Sequence, residues 1–150
     1  MSGDLRELYQ EIILDHSRHP HNSGEIEDAS GTAQGNNPLC GDRITVYVKL
    51  DGDRIVDARF VARGCAISVA SASMMTDLLK GKTVAEAKAA FERFHDLLTG
   101  ENAPQLDEGD ELAALMGVRE FPTRIKCATL PWHTLNAALK GSDGENVTTE

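Results

Sequence analysis

Residues 44–63, ITVYVKLDGDRIVDARFVAR, decide how this chain is read. Ile44, Val46, Val48 and Leu50 alternate with Thr45, Tyr47 and Lys49. After Asp51-Gly52-Asp53, Val56, Ala58, Phe60 and Ala62 alternate with Asp57, Arg59, Val61 and Arg63. A period of two places each apolar set on one face of an extended strand. Asp-Gly between two such runs is hairpin-turn chemistry, so the stretch predicts two antiparallel strands.

Outward from the hairpin, the pattern becomes helical. Upstream, residues 4–19 carry Leu5, Leu8, Tyr9, Ile12 and Ile13 at helical spacing, and Pro20 ends the run. Residues 21–41 are rich in Gly, Asn, Ser and Pro and predict a loop, with one short strand near Thr32–Gln34. Downstream, Gly64 closes the second strand. Residues 66–80 predict a helix with Ile67, Ala70, Met74 and Leu78 on one stripe, stopped by Gly81. Thr83 and Glu86 fit a capping box that opens a helix running to about Leu98. Residues 99–111 are acidic and broken by Gly and Pro, which predicts an exposed loop. A short helix is expected over Asp110–Met116 and a last one from about Thr123 to Leu139. Pro131 lies in the first turns of that last helix or bends it, because proline has no N–H for an intrahelical bond. These elements give an α+β fold: a small antiparallel sheet of about three strands with helices packed on one face. Residues 1–140 are expected to form a single domain and the polar residues 141–150 a disordered tail.

Composition narrows the function classes. The chain has 150 residues and is 41% hydrophobic but only 5% aromatic, so its core must rest on Ile, Leu, Val, Met and Ala. The formal charge of −9 repels phosphate backbones and argues against nucleic-acid binding; it favours a partner with a basic rim. The N-terminal MSGDLRELYQ carries charge where a secretory signal carries an apolar run, and no stretch reaches the roughly 20 apolar residues of a membrane span. A cytoplasmic protein is expected. Its three cysteines exclude a complete disulfide framework and direct attention to metal, catalysis or core filling.

Those cysteines sit in informative places. Cys40 lies in Asn37-Pro38-Leu39-Cys40-Gly41-Asp42, just before the first long strand. Cys65 follows Gly64 and opens a helix; Cys127 follows Lys126 near the start of the last helix. A helix N-terminus favours thiolate over thiol, and Arg124 and Lys126 add positive charge beside Cys127. Asp42 is two residues from Cys40, so in extended chain both side chains share a side. Cys40, Asp42, Cys65 and Cys127 together make four donors, the tetrahedral number zinc prefers. Competing structural readings stand beside this one: buried cysteine often only fills space, Asp42 suits a turn, and there is no C-x-x-C pair. His16, His19 and His21 with Asp15 form a rival donor set, but histidine near a helix C-terminus also suits the helix dipole. The small-residue run Ala70-Ser71-Ala72-Ser73 beside Met74-Met75 reads as tight helix packing. The acidic run 107–111 reads as a solvated loop or a docking patch.

Several stretches together resemble the U-type family of iron–sulfur cluster assembly, which includes IscU, SufU and the N-terminal domain of NifU. They are Leu8-Tyr9 through Asp15-His16 with Pro20, Asn22 and Gly24; Asn37 to Asp42; Gly64-Cys65-Ala66-Ile67-Ser68 with residues 70–73; Gly81-Lys82-Thr83; and Arg124 to Leu130 with Trp132. They span residues 8 to 139. Lys126 stands where the classical scaffold subgroup has a histidine, and the segment near residues 99–121 is longer; both features resemble the SufU subgroup. The resemblance implies a SufE/NifU-like fold and zinc bound through Cys40, Asp42, Cys65 and Cys127. It also implies that Cys40 accepts persulfide sulfur from a PLP-dependent cysteine desulfurase of the SufS type, a sulfurtransferase role that feeds downstream iron–sulfur assembly proteins. Two alternatives remain open: a scaffold for a transient [2Fe–2S] cluster or iron, since thiolates suit iron and zinc alike, and a binding module with purely structural zinc.

Overall fold

The computed structural model describes residues 2–38, 41–99, 114–115, 117–118, 121–140 and 143–148. In chain order the elements are α1 (Ser2–Arg18), β1 (Gly31–Asn37), β2 (Asp42–Asp51), β3 (Arg54–Arg63), α2 (Ala66–Leu79), α3 (Val84–Thr99), α4 (Pro122–Leu139) and β4 (Asp143–Thr148). The sheet order is β3-β2-β1-β4. The first three strands pair antiparallel, as expected for an α+β fold, and β4 adds parallel to β1.

The hairpin is β2–β3, and its alternation has one break. Lys49 pairs with Asp57 but Leu50 pairs with Ile55, so Val56 is an extra residue opposite no partner. Such a bulge reverses the inward parity beyond it. Ile55 is therefore buried and Val56, expected inward, is exposed at 47%. Past the bulge Ala58 and Phe60 point inward as expected, beside Ile44, Val46 and Val48 of β2.

Strand β1 is longer than the expected Thr32–Gln34. Its inward positions are Gly31, Ala33, Gly35 and Asn37, which carry no large apolar side chain to announce a strand. The small residues have a packing role. A Cβ on Gly35 would overlap the Thr134 hydroxyl and lie 3.0 Å from Leu130 Cδ1; one on Gly31 would overlap the Ala138 carbonyl. Helix α4 thus lies almost directly on β1.

Helix α2 packs beside α4 on the same face, with α1 against α2 and α3 against α4. The expected stripe of Ile67, Ala70, Met74 and Leu78 is corrected: Leu78 is 37% exposed, and the continuous run Ala70 to Thr76 is buried. Serines here fill space between helices because each has a partner. The Ser71 hydroxyl donates to the Ala128 carbonyl (2.6 Å) and accepts from the Trp132 indole N–H (3.2 Å). Trp132 stacks on Phe94 of α3 at 4.7 Å between ring centroids.

The predicted capping box forms: Glu86 N–H donates to Thr83 Oγ1, and Thr83 N–H to Glu86 Oε1, both at 3.1 Å. Pro131 lies mid-helix and buried in α4, not in its first turns. The short helix expected over Asp110–Met116 falls mostly outside the described residues. Part of the expected disordered tail, residues 143–148, forms β4 instead. Strand pairing satisfies backbone groups whatever the side chains, so a polar composition did not forbid it. Among the described residues no helix is long and apolar enough to cross a membrane.

The β1–α4 contact predicts a specific loss. Gly35→Ala should destabilise the fold by about 1–3 kcal/mol through overpacking. Adding Thr134→Ala should recover part of it, because the overlapping hydroxyl is gone while Leu130 still crowds the site. Urea denaturation of the single and double variants checks this; additive losses would contradict it.

Candidate metal centre

Three structural elements meet at one end of the sheet. Asp42 is the first residue of β2 and is fully buried. A buried carboxylate needs compensation. It finds some at the start of α2, where Asp42 Oδ1 accepts the Cys65 backbone N–H at 2.8 Å. Its second oxygen, Oδ2, lies 3.8 Å from Cys65 Sγ. Cys65 is the N-cap residue of α2, with an extended backbone and no side-chain cap bond, so the helix holds its position while its thiol faces the carboxylate.

Gly64 makes that approach possible. It adopts φ +154°, and a Cβ there would lie 2.9 Å from both Asp42 Cα and Cγ. No other residue fits without moving the strand or the carboxylate.

Cys127 arrives from α4 and is fully buried. It is the sixth residue of that helix, past the first turn, where the N-terminal dipole has largely faded. Its sulfur accepts from Asn37 Nδ2 at 3.5 Å and its thiol faces the Thr123 carbonyl at 3.6 Å. A carboxylate oxygen of Asp42 and the sulfurs of Cys65 and Cys127 all lie within 4.8 Å of one another. Ligand atoms at the corners of a zinc tetrahedron stand roughly 3.5–4 Å apart. The donor set and its spacing therefore fit a divalent ion of zinc type after a small contraction, with one corner left for a further donor.

Cys40 lies outside the described residues. Asn37 and Asp42 pair across β1 and β2, so Cys40 belongs to the four-residue connection 38–41 between them. Arg124 is exposed and Lys126 half-buried in the first turns of α4, flanking Cys127 in sequence. Two further arginines stand at this end of the sheet: Arg43, after Asp42, pairs directly across the strands with Arg63, before Gly64. Like charges placed opposite each other cost stability. Both lie on the exposed parity of their strands, opposite the inward face that carries Asp42.

Sequence reasoning missed Asn37. The residue is fully buried on the inward parity of β1, after Ala33 and Gly35. Carrying the period of two beyond Gln34 would have found a polar side chain aimed into the core next to the Cys40 segment.

The chain matches the family described as the NifU-like N-terminal domain over residues 8–146. It belongs to that family. A relative within the reach of this NifU-like domain is the zinc-dependent sulfurtransferase SufU of Bacillus subtilis strain 168, 45% identical over 97% of this chain and 98% of the relative. The iron–sulfur cluster assembly scaffold protein IscU of Streptococcus pyogenes serotype M1 is 45% identical over 92% of this chain and 86% of its own. Among solved structures, an iron–sulfur cluster assembly scaffold protein for the SUF system from Fervidobacterium islandicum AW-1 superposes with a TM-score of 0.81 at 37% identity, covering 89% of this chain and 97% of that one. Two of these three proteins are named for iron–sulfur cluster assembly and one for zinc-dependent sulfur transfer.

Gly64 offers a direct check of how the centre is built. Gly64→Ala should destabilise the protein by roughly 1–3 kcal/mol and lower its bound metal, since it drives a methyl group into Asp42. Gly81→Ala is the control: Gly81 also has a positive φ, of +85°, but faces open space. That variant should lose stability alone. Elemental analysis beside chemical denaturation separates the two, and equal metal loss in both variants would contradict the reading.

Proposed function

We propose that this chain is a zinc-dependent sulfurtransferase that accepts persulfide sulfur from a PLP-dependent, SufS-type cysteine desulfurase and passes it to iron–sulfur assembly proteins. The observation that carries the reading is the convergence of Asp42, Cys65 and Cys127 beside the connection that contains Cys40. Chain geometry supports Cys40 as the fourth donor: its Cα can lie at most about 7 Å from that of Asp42. The similarity to a relative named zinc-dependent sulfurtransferase supports zinc over other ions. Zinc, when bound, would act as a Lewis acid that keeps cysteine donors as thiolates at neutral pH.

The residues divide the work by rigidity. Cys65 and Cys127 are anchored on α2 and α4, and Asp42 is anchored by the Cys65 N–H. Asn37 donates to the Cys127 sulfur and stabilises its negative form. Cys40 stands on a short connection between two glycine- and proline-flanked strand ends, so it is the sulfur best able to reach a partner. Its thiolate attacks the terminal sulfur of the desulfurase persulfide. The bond from that sulfur to the desulfurase cysteine breaks, its electron pair leaves with the desulfurase thiolate, and Cys40 becomes the persulfide. Arg124 and Lys126, which flank Cys127 in α4, would offset part of the negative charge of the thiolates. A cytoplasmic, reducing compartment suits this cysteine chemistry.

A second reading, a scaffold for a [2Fe–2S] cluster, is favoured by the relatives named IscU. Anaerobic reconstitution with iron and sulfide separates the two: a stable visible chromophore on stoichiometric iron supports the scaffold.

The acceptor role is tested by alanine formation from cysteine with a SufS-type desulfurase. The wild-type chain should raise turnover, and Cys40→Ala should return it to the desulfurase's own rate; undiminished stimulation would contradict the assignment. Asp42→Ala should weaken zinc by more than about tenfold in competition with a chelator. An unchanged affinity would remove Asp42 from the donor set.

A further inference from the structure

The far end of α2 brings together a second set of donors that the sulfur chemistry does not use. One ring nitrogen each of His16 and His21 and a carboxylate oxygen of Asp77 lie within 4.8 Å of one another. They come from the last turn of α1, the turn that follows it, and α2. His19, expected as part of this cluster, stands apart, 78% exposed beside Asp15 at 3.5 Å. From Cys65 to Asp77 is twelve residues of helix, or about 18 Å, so this set is separate from the cysteine centre.

Hydrogen bonds to neighbouring residues orient the three side chains, as outer partners orient metal ligands. His16 is buried, and its Nδ1 bonds Ser73 Oγ at 2.7 Å. The same Ser73 oxygen accepts the His21 backbone N–H at 2.8 Å, so one buried hydroxyl fixes both histidines. Asp77 is oriented from the other side. Its Oδ1 accepts from Asn22 Nδ2 at 2.9 Å, and Lys80 Nζ donates to Asn22 Oδ1 at 2.7 Å. Its Oδ2 bonds the His21 ring. Asn22 has φ +59°, a conformation uncommon outside glycine, which places His21 over Asp77. His21 and Asp77 are each exposed, so the set opens to solvent.

We propose that His16, His21 and Asp77 form a second binding site for a divalent first-row transition ion, with zinc the natural probe. Two imidazoles and one carboxylate suit zinc and its neighbours in the series, whereas magnesium and calcium seek oxygen alone. Three protein ligands leave a coordination position open to water or to a donor from outside the chain. The ion would replace the hydrogen bond between His21 and Asp77 and tie the post-α1 turn to α2. The site does not depend on the sulfur-transfer reading.

The test counts metal. Equilibrium dialysis of the full chain against zinc, followed by elemental analysis, should find one more equivalent on wild type than on His21→Gln or Asp77→Asn. Both positions are exposed, so the variants leave the core and the cysteine centre as they were. Ser73→Ala should weaken the extra equivalent about tenfold without removing it. Wild type alone supplies a second readout: zinc should protect His21 from diethyl pyrocarbonate, read by mass spectrometry, while His19 reacts at the same rate with and without metal. Equal zinc content in wild type and both variants, or His21 carbethoxylation that ignores zinc, overturns the proposal and leaves a simple His–Asp ion pair.

Discussion

The structure turns on one buried carboxylate. Asp42 sits at the start of β2 with no exposure to solvent and anchors itself on the backbone N–H of Cys65. That bond ties the first residue of a strand to the N-cap residue of the helix after the next strand. Burying a carboxylate costs several kcal/mol unless further interactions compensate it. The proposed cation between Asp42 and the two cysteine sulfurs would be such an interaction. The chain prepares for it with a glycine where any side chain would strike the carboxylate, and with an asparagine amide turned toward Cys127.

The packing layers that carry these residues approach one another closely along their length. Helix α4 lies close on β1 because Gly31 and Gly35 leave no side chains between them. Helix α2 lies close to α4 because its middle is Ala and Ser, with Ser71 bonded to the Ala128 carbonyl and to Trp132. With few aromatic residues available, tight approach of small residues replaces bulk as the source of buried area. A consequence is positional accuracy: the sulfurs of Cys65 and Cys127 are carried by two helices that cannot easily slide.

Much of this was legible in the residues. The β2–β3 hairpin and the capping box at Thr83 and Glu86 followed from local rules of period, turn and helix start, whereas the grouping of Asp42, Cys65 and Cys127 was suggested by the family resemblance rather than by their spacing. What escaped had no local signal. Val56 turns outward because a bulge, invisible to alternation, shifts the pairing beyond Lys49. Strand β1 is written in glycine, alanine and asparagine, so its length and the inward aim of Asn37 depend on α4 lying over it. Strand β4 is polar and forms through backbone pairing at an open sheet edge. The histidines near Pro20 looked like one cluster along the helix, yet only His16 and His21 meet, because Ser73 and Asp77 of α2 select them.

Family membership and geometry converge on one claim, that thiolates distant in sequence share an ion with Asp42. X-ray absorption at the zinc edge of the purified protein tests it most directly. The account predicts three sulfur scatterers at about 2.3 Å and one oxygen or nitrogen near 2.0 Å in the cysteine centre, with the oxygen contribution lost in Asp42→Ala. A spectrum fitted by nitrogen and oxygen alone, or one unchanged when Cys65 or Cys127 is replaced, would contradict it.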